Sequence, residues 1–211
     1  MAIDYSGSGQ YHSAATAAVT GAPATFSCWL WPDNTTGSYV ALGVGRSGAT
    51  GNYMGIGPYG SIASDPAVFE VAGSGSGFGF SNGFTNSAWQ HFAGVTASST
   101  NRYAWLNGVR GAQHLSTLTP TSLNTTDLGT LTVNSPIAPF AGLMAEAAIW
   151  DVALSDDEMA SLAKGISARR IRPQSLKFYA PMVRAVQDLR GGLTLTETGS
   201  PAVVAHPRTY R

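Results

Sequence analysis

The stretch AWQHFAGVTASSTNRYAWLNG, residues 88–108, decides the fold class of this chain. Its first half alternates between two faces, which is the two-residue period of a β-strand. A small polar turn (ASSTN) follows, and a second strand then places Tyr103 and Trp105 on one side. Asn107-Gly108 is a strong hairpin signal, because a type I′ turn needs positive φ at both central residues. The stretch therefore predicts an antiparallel meander that must bury aromatic side chains.

The composition favours a protein built from many strands and turns. The chain has 211 residues, of which 44% are hydrophobic and 11% are charged, and 25 of them are glycine. A typical soluble protein has about 25% charged residues. Cys28 is the only cysteine, which excludes an internal disulfide and a thiolate metal cluster. We expect an all-β domain with a sizeable apolar core.

Further strands alternate as the first one does. TFSCWLW, residues 25–31, places Trp29 and Trp31 on the face opposite Cys28. Other segments with strand composition cover residues 38–44, 67–71, 126–133 and 142–150.

One segment, LSDDEMASLAKG at residues 154–165, has the signals of a helix instead. Ser155 and Glu158 have the spacing of a capping box, and two aspartates lie in the first turn, where the helix dipole favours negative charge. The acidic cluster could also be interpreted as a metal site, but capping accounts for all three acids. The sequence predicts one short α-helix near residues 156–164.

Three segments, taken in order, resemble one known family. They are TFSCWLWPDN (residues 25–34), WQHFAGVTASSTNRYAWLNGV (89–109) and FAGLMAEAAIWDVALSDDEMASL (140–162). Together they are similar to the laminin-G-like, concanavalin A-like lectin/glucanase jelly roll family, over roughly residues 1–165. The resemblance implies an all-β fold in which two antiparallel sheets stack face to face as a β-sandwich.

The resemblance also implies structural roles for single residues. Trp89 would anchor the strand that leads into the hairpin, Asn107-Gly108 would form its turn, and Glu146 would be a structural residue of a late strand. The predicted hairpin and core residues are Trp29, Trp89, Tyr103, Trp105, Asn107, Gly108, Glu146 and Trp150.

Residues 166–211 form a basic C-terminal extension outside these motifs. Strands are predicted at residues 175–181, 193–198 and 202–205. They could complete the sandwich by pairing with the N-terminal strand, or they could contact a neighbouring subunit. The pattern LKFYAPMVR…DLRGG…HPR resembles the C-terminal tails of laminin-G-like proteins encoded by tailed bacteriophages.

The charges are unevenly distributed along the chain. Residues 1–163 hold three basic and ten acidic residues, whereas residues 164–211 hold nine basic and two acidic ones. The basic end could pack on the acidic sandwich, or it could face a partner. Arg169, Arg170 and Arg172 are the candidates for a subunit contact, with a solvated linker as the alternative. We expect no direct binding of nucleic acid.

The sequence gives no sign of catalysis. A retaining glycosidase needs two carboxylates ~5–5.5 Å apart, and Glu146 has no acidic partner at positions 144, 148 or 150. The four histidines are scattered, and Asp33, Asp65 and Asp127 are isolated loop acids. We expect no catalytic residue, no cofactor and no bound metal ion, with calcium at a loop aspartate as the alternative.

Aromatic side chains in the glycine-rich loops are candidates for stacking on sugars. Tyr53, Tyr59, Phe78 and Phe80 are the residues concerned. The alternative is that they close the ends of the sandwich or form subunit contacts.

These observations favour a non-enzymatic structural protein of a phage virion, either a capsid decoration protein or a tail or fibre component. It would form a homo-oligomer and contact other virion proteins. Without a signal peptide or a membrane span, it would be made in the host cytoplasm and reside in the virion. The alternative function is a carbohydrate-binding, lectin-like module that recognises surface glycans.

Overall fold

The computed structural model describes residues 2–7, 9–33, 36–73 and 75–207. Asn34 and Arg208, which end two of the motifs quoted above, lie outside the described residues. Within these ranges, no helix has both the length and the apolar character needed to cross a membrane.

The described chain forms seventeen strands, one α-helix and one turn of 3₁₀-helix. In chain order they are β1 (Ala2–Ser6), β2 (Tyr11–Ala14), β3 (Ala24–Pro32), β4 (Leu42–Gly45), β5 (Tyr53–Pro58), β6 (Pro66–Ala72), β7 (Ser76–Gly83), β8 (Gln90–Ser98), β9 (Asn101–Leu106), β10 (Val109–Arg110), β11 (Thr125–Leu128), β12 (Leu131–Thr132), β13 (Pro136–Ile137), β14 (Ala141–Trp150), α1 (Asp156–Ala163), the 3₁₀ turn (Ala168–Arg170), β15 (Leu176–Ala180), β16 (Thr196–Thr198) and β17 (Ala202–Val204).

Two antiparallel sheets form the sandwich, as the sequence predicts. The first sheet has the order β10-β9-β8-β3-β14-β1-β17, and β15 also pairs with β14. The second sheet has the order β16-β2-β11-β4-β5-β6-β7. The hairpin of β12 and β13 is separate from both sheets. The all-β, two-sheet fold with one short helix is therefore confirmed for the described residues.

The core lies between the two sheets and follows the alternation of the strands. On β3, Phe26, Cys28 and Leu30 are fully buried against the second sheet. The rings of Phe26 and Phe69, one from each sheet, lie 5.4 Å apart. Gly94 is required at this place, since a β-carbon there would lie 2.3 Å from the Phe69 ring. The sheets therefore approach closely at the centre of the sandwich.

The hairpin that decides the fold has the predicted turn. Asn107 has φ 52° and Gly108 has φ 79°, as a type I′ turn requires. The side chain of Asn107 also accepts a hydrogen bond from the backbone nitrogen of His91 at 3.0 Å. Trp105 is buried, and its ring contacts Tyr103 edge to face with centroids 5.6 Å apart.

Three of the aromatic residues expected in the core lie only partly buried on the outer face. Trp29, Tyr103 and Trp89 are all half-buried, and Trp89 precedes β8 rather than lying in it. Trp89 packs edge to face on Trp31, with ring centroids 6.1 Å apart. For Trp29 and Tyr103 the reason is parity, because the neighbouring residues of their strands take the inward positions. Trp150 is fully buried and donates from its indole nitrogen to the carbonyl of Ile171 at 2.8 Å.

The helix begins with the predicted capping box. The backbone nitrogen of Glu158 donates to the Ser155 hydroxyl at 3.3 Å, and the backbone nitrogen of Ser155 donates to the Glu158 carboxylate at 2.8 Å. Gly165, with φ 86°, follows the end of the helix. The helix packs across the outer face of the first sheet and buries Met159 and Leu162.

Replacing Ser155 with alanine should lower the free energy of unfolding by about 1 kcal/mol, because one backbone N–H of the first turn then loses its acceptor. Urea denaturation of the full chain measures the change. Ser161→Ala is the matched control, since its hydroxyl only donates to the carbonyl of Asp157 inside the helix. Equal decreases in the free energy of unfolding for Ser155→Ala and Ser161→Ala would contradict a specific capping role.

The C-terminal extension adds strands to both sheets. β15 pairs with β14, β17 pairs with β1, and β16 pairs with β2 at the edge of the second sheet. Phe178 and Met182 of the extension are fully buried. The strands occupy shorter ranges than predicted, and Arg169 and Arg170 lie in the 3₁₀ turn that precedes them.

Two sequence expectations about residues 126–133 are wrong. The strand predicted over residues 126–133 is two strands, β11 and β12, that are separated by a turn at Gly129 with φ 82°. Asp127 consequently lies on β11 rather than in a loop.

Glu146 occupies a bulge of β14 with φ 53°, where the pairing with β3 shifts between Ala145 and Ala148.

Candidate functional site

An open groove of about 480 Å³ crosses the outer face of the second sheet at its β16 end. Its lining is rich in hydroxyl and amide side chains and contains one aromatic ring. The lining residues are Tyr11, Ser13, Ala15, Ser47, Asn124, Thr125, Thr132, Thr196 and Thr198. This groove is the candidate functional site.

Strand alternation explains why this face is polar. On β2, His12 and Ala14 are buried beneath the sheet, whereas Tyr11 and Ser13 are half-buried on its outer side. The pairing of β16 with β2 then places Thr196 beside Ser13 and Thr198 beside Tyr11. Two strands with small hydroxyl residues in the same register therefore form one wall of the groove.

Asp127 forms the floor beneath the hydroxyl groups and is fully buried. Its carboxylate accepts hydrogen bonds from Ser13 Oγ at 2.7 Å, from Thr132 Oγ1 at 2.5 Å and from Thr125 Oγ1 at 2.9 Å. The backbone nitrogen of Thr132 donates as well, at 3.1 Å. Burial raises the pKa of Asp127, and these hydrogen bonds act in the opposite direction.

The buried carboxylate determines what the groove can offer to a ligand. Each hydroxyl carries one hydrogen, which Ser13 and Thr132 direct to Asp127 and which Thr125 shares between Asp127 and the carbonyl of Gly45. Their oxygens therefore present lone pairs to the groove and act as acceptors. The amide oxygen of Asn124 accepts from the backbone nitrogen of Ser47 at 2.7 Å, which leaves its nitrogen as a donor. A ligand rich in hydroxyl groups matches this arrangement.

The four aromatic residues predicted as glycan-binding come together at the opposite end of the same face. Tyr53 lies on β5, Phe78 and Phe80 lie on β7, and Tyr59 follows β5. The expectation that they lie in loops is wrong for three of them, because the glycines between them belong to strands in which alternate positions face the core. The rings of Phe78 and Phe80 stack with centroids 5.8 Å apart, and Tyr59 lies 6.0 Å from Phe78.

The aromatic cluster surrounds the buried carboxylate of Glu70. The Tyr53 hydroxyl donates to one oxygen at 2.6 Å, and the Tyr59 hydroxyl donates to the other. Burial and these contacts with Glu70 raise the pKa of both tyrosines. Tyr59 is 6% exposed, so its ring is not accessible for stacking. The half-buried rings of Tyr53, Phe78 and Phe80 remain candidates for ligand contact.

The three arginines predicted as a subunit contact differ in their surroundings. Arg172 forms an ion pair with Glu158 at 2.6 Å, which lowers the pKa of that carboxyl. Arg169 and Arg170 lie on an exposed turn and line a separate pocket. Arg172 is therefore engaged within the chain, whereas Arg169 and Arg170 border the pocket.

The remaining acids predicted from the sequence do not converge on a metal site. Within the described ranges, no group of three or more histidine, cysteine, aspartate or glutamate side chains could hold a metal ion. Glu146 lies beneath the extension, where the Tyr179 hydroxyl donates to it at 2.6 Å.

Sequence reasoning missed the groove residues. Tyr11 and Ser13 lie in a short N-terminal strand, and Thr196 and Thr198 lie almost two hundred residues later, so only sheet pairing brings them together. The alternating threonines of LTLTET, residues 193–198, were the available signal, but alternation alone does not show which face of a strand a ligand would meet.

Comparison with known proteins gives a consistent picture of the fold. The profile of the Laminin_G_3 family, described as the concanavalin A-like lectin/glucanases superfamily, matches residues 6–160. No curated protein matches the chain significantly.

Three solved structures are similar to this chain. A carbohydrate-binding module, CBM40 of the IT-sialidase of Ruminococcus gnavus bound to α2,3-sialyllactose, has 13% identity and a TM-score of 0.65, over 77% of this chain and 96% of that one. A putative carbohydrate binding protein of Bacteroides ovatus has 17% identity and a TM-score of 0.65, over 96% of this chain and 61% of that one. A heptameric SAP-like pentraxin of Limulus polyphemus has 12% identity and a TM-score of 0.59, over 93% and 94%. Identities this low show the fold alone.

Proposed function

This chain belongs to the concanavalin A-like lectin/glucanase superfamily, and from that premise we propose that it is a non-enzymatic carbohydrate-binding module. Two of the similar structures are described as carbohydrate-binding, and one of these is a module of a sialidase rather than its catalytic part. These likenesses favour the lectin-like function over the virion role as the primary proposal.

The polar groove on the second sheet is the observation that carries the proposal. Its volume of about 480 Å³ is suitable for one or two sugar rings. Acceptor oxygens held by Asp127 would receive the hydroxyl hydrogens of a sugar, and Asn124 would donate. Tyr11 supplies the one aromatic surface in the groove, against which the apolar face of a sugar ring would pack.

A neutral, hydroxyl-rich glycan is the ligand class that fits these groups. Among the residues that the structure describes, the groove lining includes no cationic side chain that would select a carboxylate or a phosphate. The buried charge of Asp127 is already satisfied by four donors, so it orients hydroxyl groups rather than attracting a cation.

Tyr11→Ala should weaken glycan binding about tenfold or more, because it removes an aromatic contact worth ~1.5 kcal/mol. A glycan array identifies ligands, and isothermal titration calorimetry then gives the dissociation constants. Phe78→Ala is the matched control, since it removes a half-buried ring from the other end of the same face. Thermal melting checks that both variants remain folded.

The two variants decide between the two candidate surfaces. Loss of binding in Phe78→Ala with normal binding in Tyr11→Ala would move the site to the aromatic cluster of Tyr53, Phe78 and Phe80. A broad array without a saturable ligand would reject glycan binding altogether.

The structural role in a phage virion stays a prediction from the sequence. It is supported by the phage-like C-terminal pattern and by the exposed Arg169 and Arg170, which an acidic neighbour could contact. A glycan-binding module can also be part of such a particle. Mass spectrometry of purified particles tests this role: hundreds of copies would indicate capsid decoration, a few copies would indicate a tail or fibre part, and absence would reject it.

A further inference from the structure

A second pocket, of about 400 Å³, lies where the C-terminal extension folds over the first sheet. It is separate from the polar groove, since the two have no lining residue in common. Its lining residues are Ser167, Arg169, Arg170, Tyr179, Pro181, Val183 and Leu189. All of them lie beyond residue 160, where the family match ends.

One side of this pocket is cationic. Arg169 and Arg170 are consecutive, exposed residues of the 3₁₀ turn. Arg169 makes no ion pair or side-chain hydrogen bond with any other residue in the described part of the chain. A guanidinium group presents a planar fork of donors that matches a carboxylate.

The opposite side of the pocket is apolar. Pro181 and Val183 are half-buried, and Leu189 is 49% exposed, which is unusual for a large hydrophobic residue in this protein. Met182 and Arg184, on either side of Val183, have φ 60° and 70°. Positive φ is costly for such residues and requires support from the surrounding structure.

The hydrogen bonds of Asp188 hold this wall in place. Its carboxylate accepts from the backbone nitrogens of Tyr179 at 3.0 Å, Arg190 at 2.9 Å and Leu193 at 3.0 Å. The backbone nitrogen of Leu189 also donates to the carbonyl of Tyr179 at 2.8 Å. The segment that carries the apolar wall is therefore fixed to β15, and the pocket is preformed.

The acid at the base of the pocket is already engaged. Glu146 is 7% exposed; it accepts from the Tyr179 hydroxyl at 2.6 Å, and its other oxygen lies 3.2 Å from Nε2 of His206. The Ser167 hydroxyl lies 3.3 Å from that of Tyr179 and completes the polar floor. Glu146 thus already has hydrogen-bonding contacts with Tyr179 and His206, and Arg169 provides the positive charge at the entrance.

We propose that this pocket binds a small organic carboxylate, with the carboxylate on Arg169 and an apolar body against Pro181, Val183 and Leu189. Free phosphate or sulfate would leave the apolar wall without a contact, and a neutral apolar molecule would leave the guanidinium unpaired. The volume lies within the range of small-molecule sites. The proposal does not depend on glycan binding, because no groove residue takes part.

Calorimetry of the full-length protein with 3-phenylpropionate tests the pocket. We expect saturable binding, and at least tenfold weaker binding of the neutral isostere 3-phenylpropanamide, because the amide cannot pair with a guanidinium as an anion does. Arg169→Gln should weaken carboxylate binding about tenfold, and Leu189→Ala should weaken it severalfold. A parallel titration with glucuronate shows whether the pocket prefers the carboxylate of an acidic sugar or that of a more apolar acid such as 3-phenylpropionate.

Two control variants make the result specific. Arg184→Gln removes an exposed arginine of the same segment that does not line the pocket, and it should leave binding unchanged. Tyr11→Ala should also leave it unchanged, which separates this site from the polar groove. The proposal is overturned if the amide binds as tightly as the acid, if Arg169→Gln has no effect, or if neither acid saturates the protein at about 10 mM.

Discussion

Truncation after Gly165 should abolish cooperative folding of this protein. The extension supplies β15, β16 and β17, and its removal leaves one side of β14 without a pairing partner over residues 147–150. It also uncovers Trp150, which is fully buried and donates to the carbonyl of Ile171. The free energy lost would exceed the ~5–15 kcal/mol by which a domain of this size is stable. Circular dichroism during thermal denaturation measures the transition.

A point substitution tests the same idea while the chain stays complete. Phe178→Ala removes a fully buried ring of β15 and should lower the free energy of unfolding by about 3–5 kcal/mol. Leu189→Ala is the control from the same extension, and it should change stability by about 0.5 kcal/mol or less, since that side chain is half exposed. A truncated chain with a sharp, wild-type-like transition would show that the extension is an appendage rather than part of the sandwich.

The protein should lose stability between about pH 6.5 and pH 3 through the buried side chain of His91. This side chain is 0% exposed, and burial lowers its pKa to about 3. Its Nε2 contacts the Ser27 hydroxyl at 2.8 Å, whereas Nδ1 has no hydrogen-bond partner among the described residues. Among the described residues, no acidic side chain forms an ion pair with the ring that would favour its charged form, so the folded protein keeps it neutral.

The direction of the effect follows from proton linkage. The unfolded chain binds a proton at His91 below about pH 6.5, while the folded chain does not until about pH 3. The contribution of His91 to the free energy of unfolding is therefore fully present above pH 6.5, and it decreases by about 1.4 kcal/mol per pH unit below that pH. At pH 4.5 the loss would be on the order of 3 kcal/mol.

A comparison of two proteins isolates this histidine from the other titrating groups. Urea denaturation from pH 7 to pH 4.5 gives the free energy of unfolding of the wild type and of His91→Gln. The variant should show a weaker decrease, because one proton fewer is taken up on unfolding, whereas the contributions of His12, Asp127 and the exposed acids are common to both. Parallel curves for the two proteins would show that His91 titrates normally in the folded state.

Part of the fold could be predicted because its signals are local. Asn107-Gly108 determines the hairpin turn through its own backbone conformation, and Ser155 with Glu158 determines the start of the helix through contacts three residues apart. The alternation along β3 indicates which side chains face the core. Such signals depend on neighbours within a few residues, so the sequence displays them directly.

The candidate sites were not predictable in the same way. The groove joins Tyr11 and Ser13 to Thr196 and Thr198, and it depends on the pairing of β2 with β16. The carboxylate pocket needs the extension to fold back over the first sheet. Alternation also left open which aromatic rings are accessible, since Tyr59 is buried against Glu70 while Phe78 is not.

By itself, the sequence determined most of the strands, the hairpin turn and the short capped helix, because each depends on local backbone and side-chain preferences, whereas the two-sheet class was implied by the family resemblance. Only the tertiary structure decided which polar side chains share a surface, how the buried Asp127 directs the hydroxyl groups above it, and that the C-terminal extension is part of both sheets. These features depend on how separate segments pair, as in the contact of Ser13 with Asp127, 114 positions apart, and the free energy of such contacts is set by burial and pairing in the folded chain.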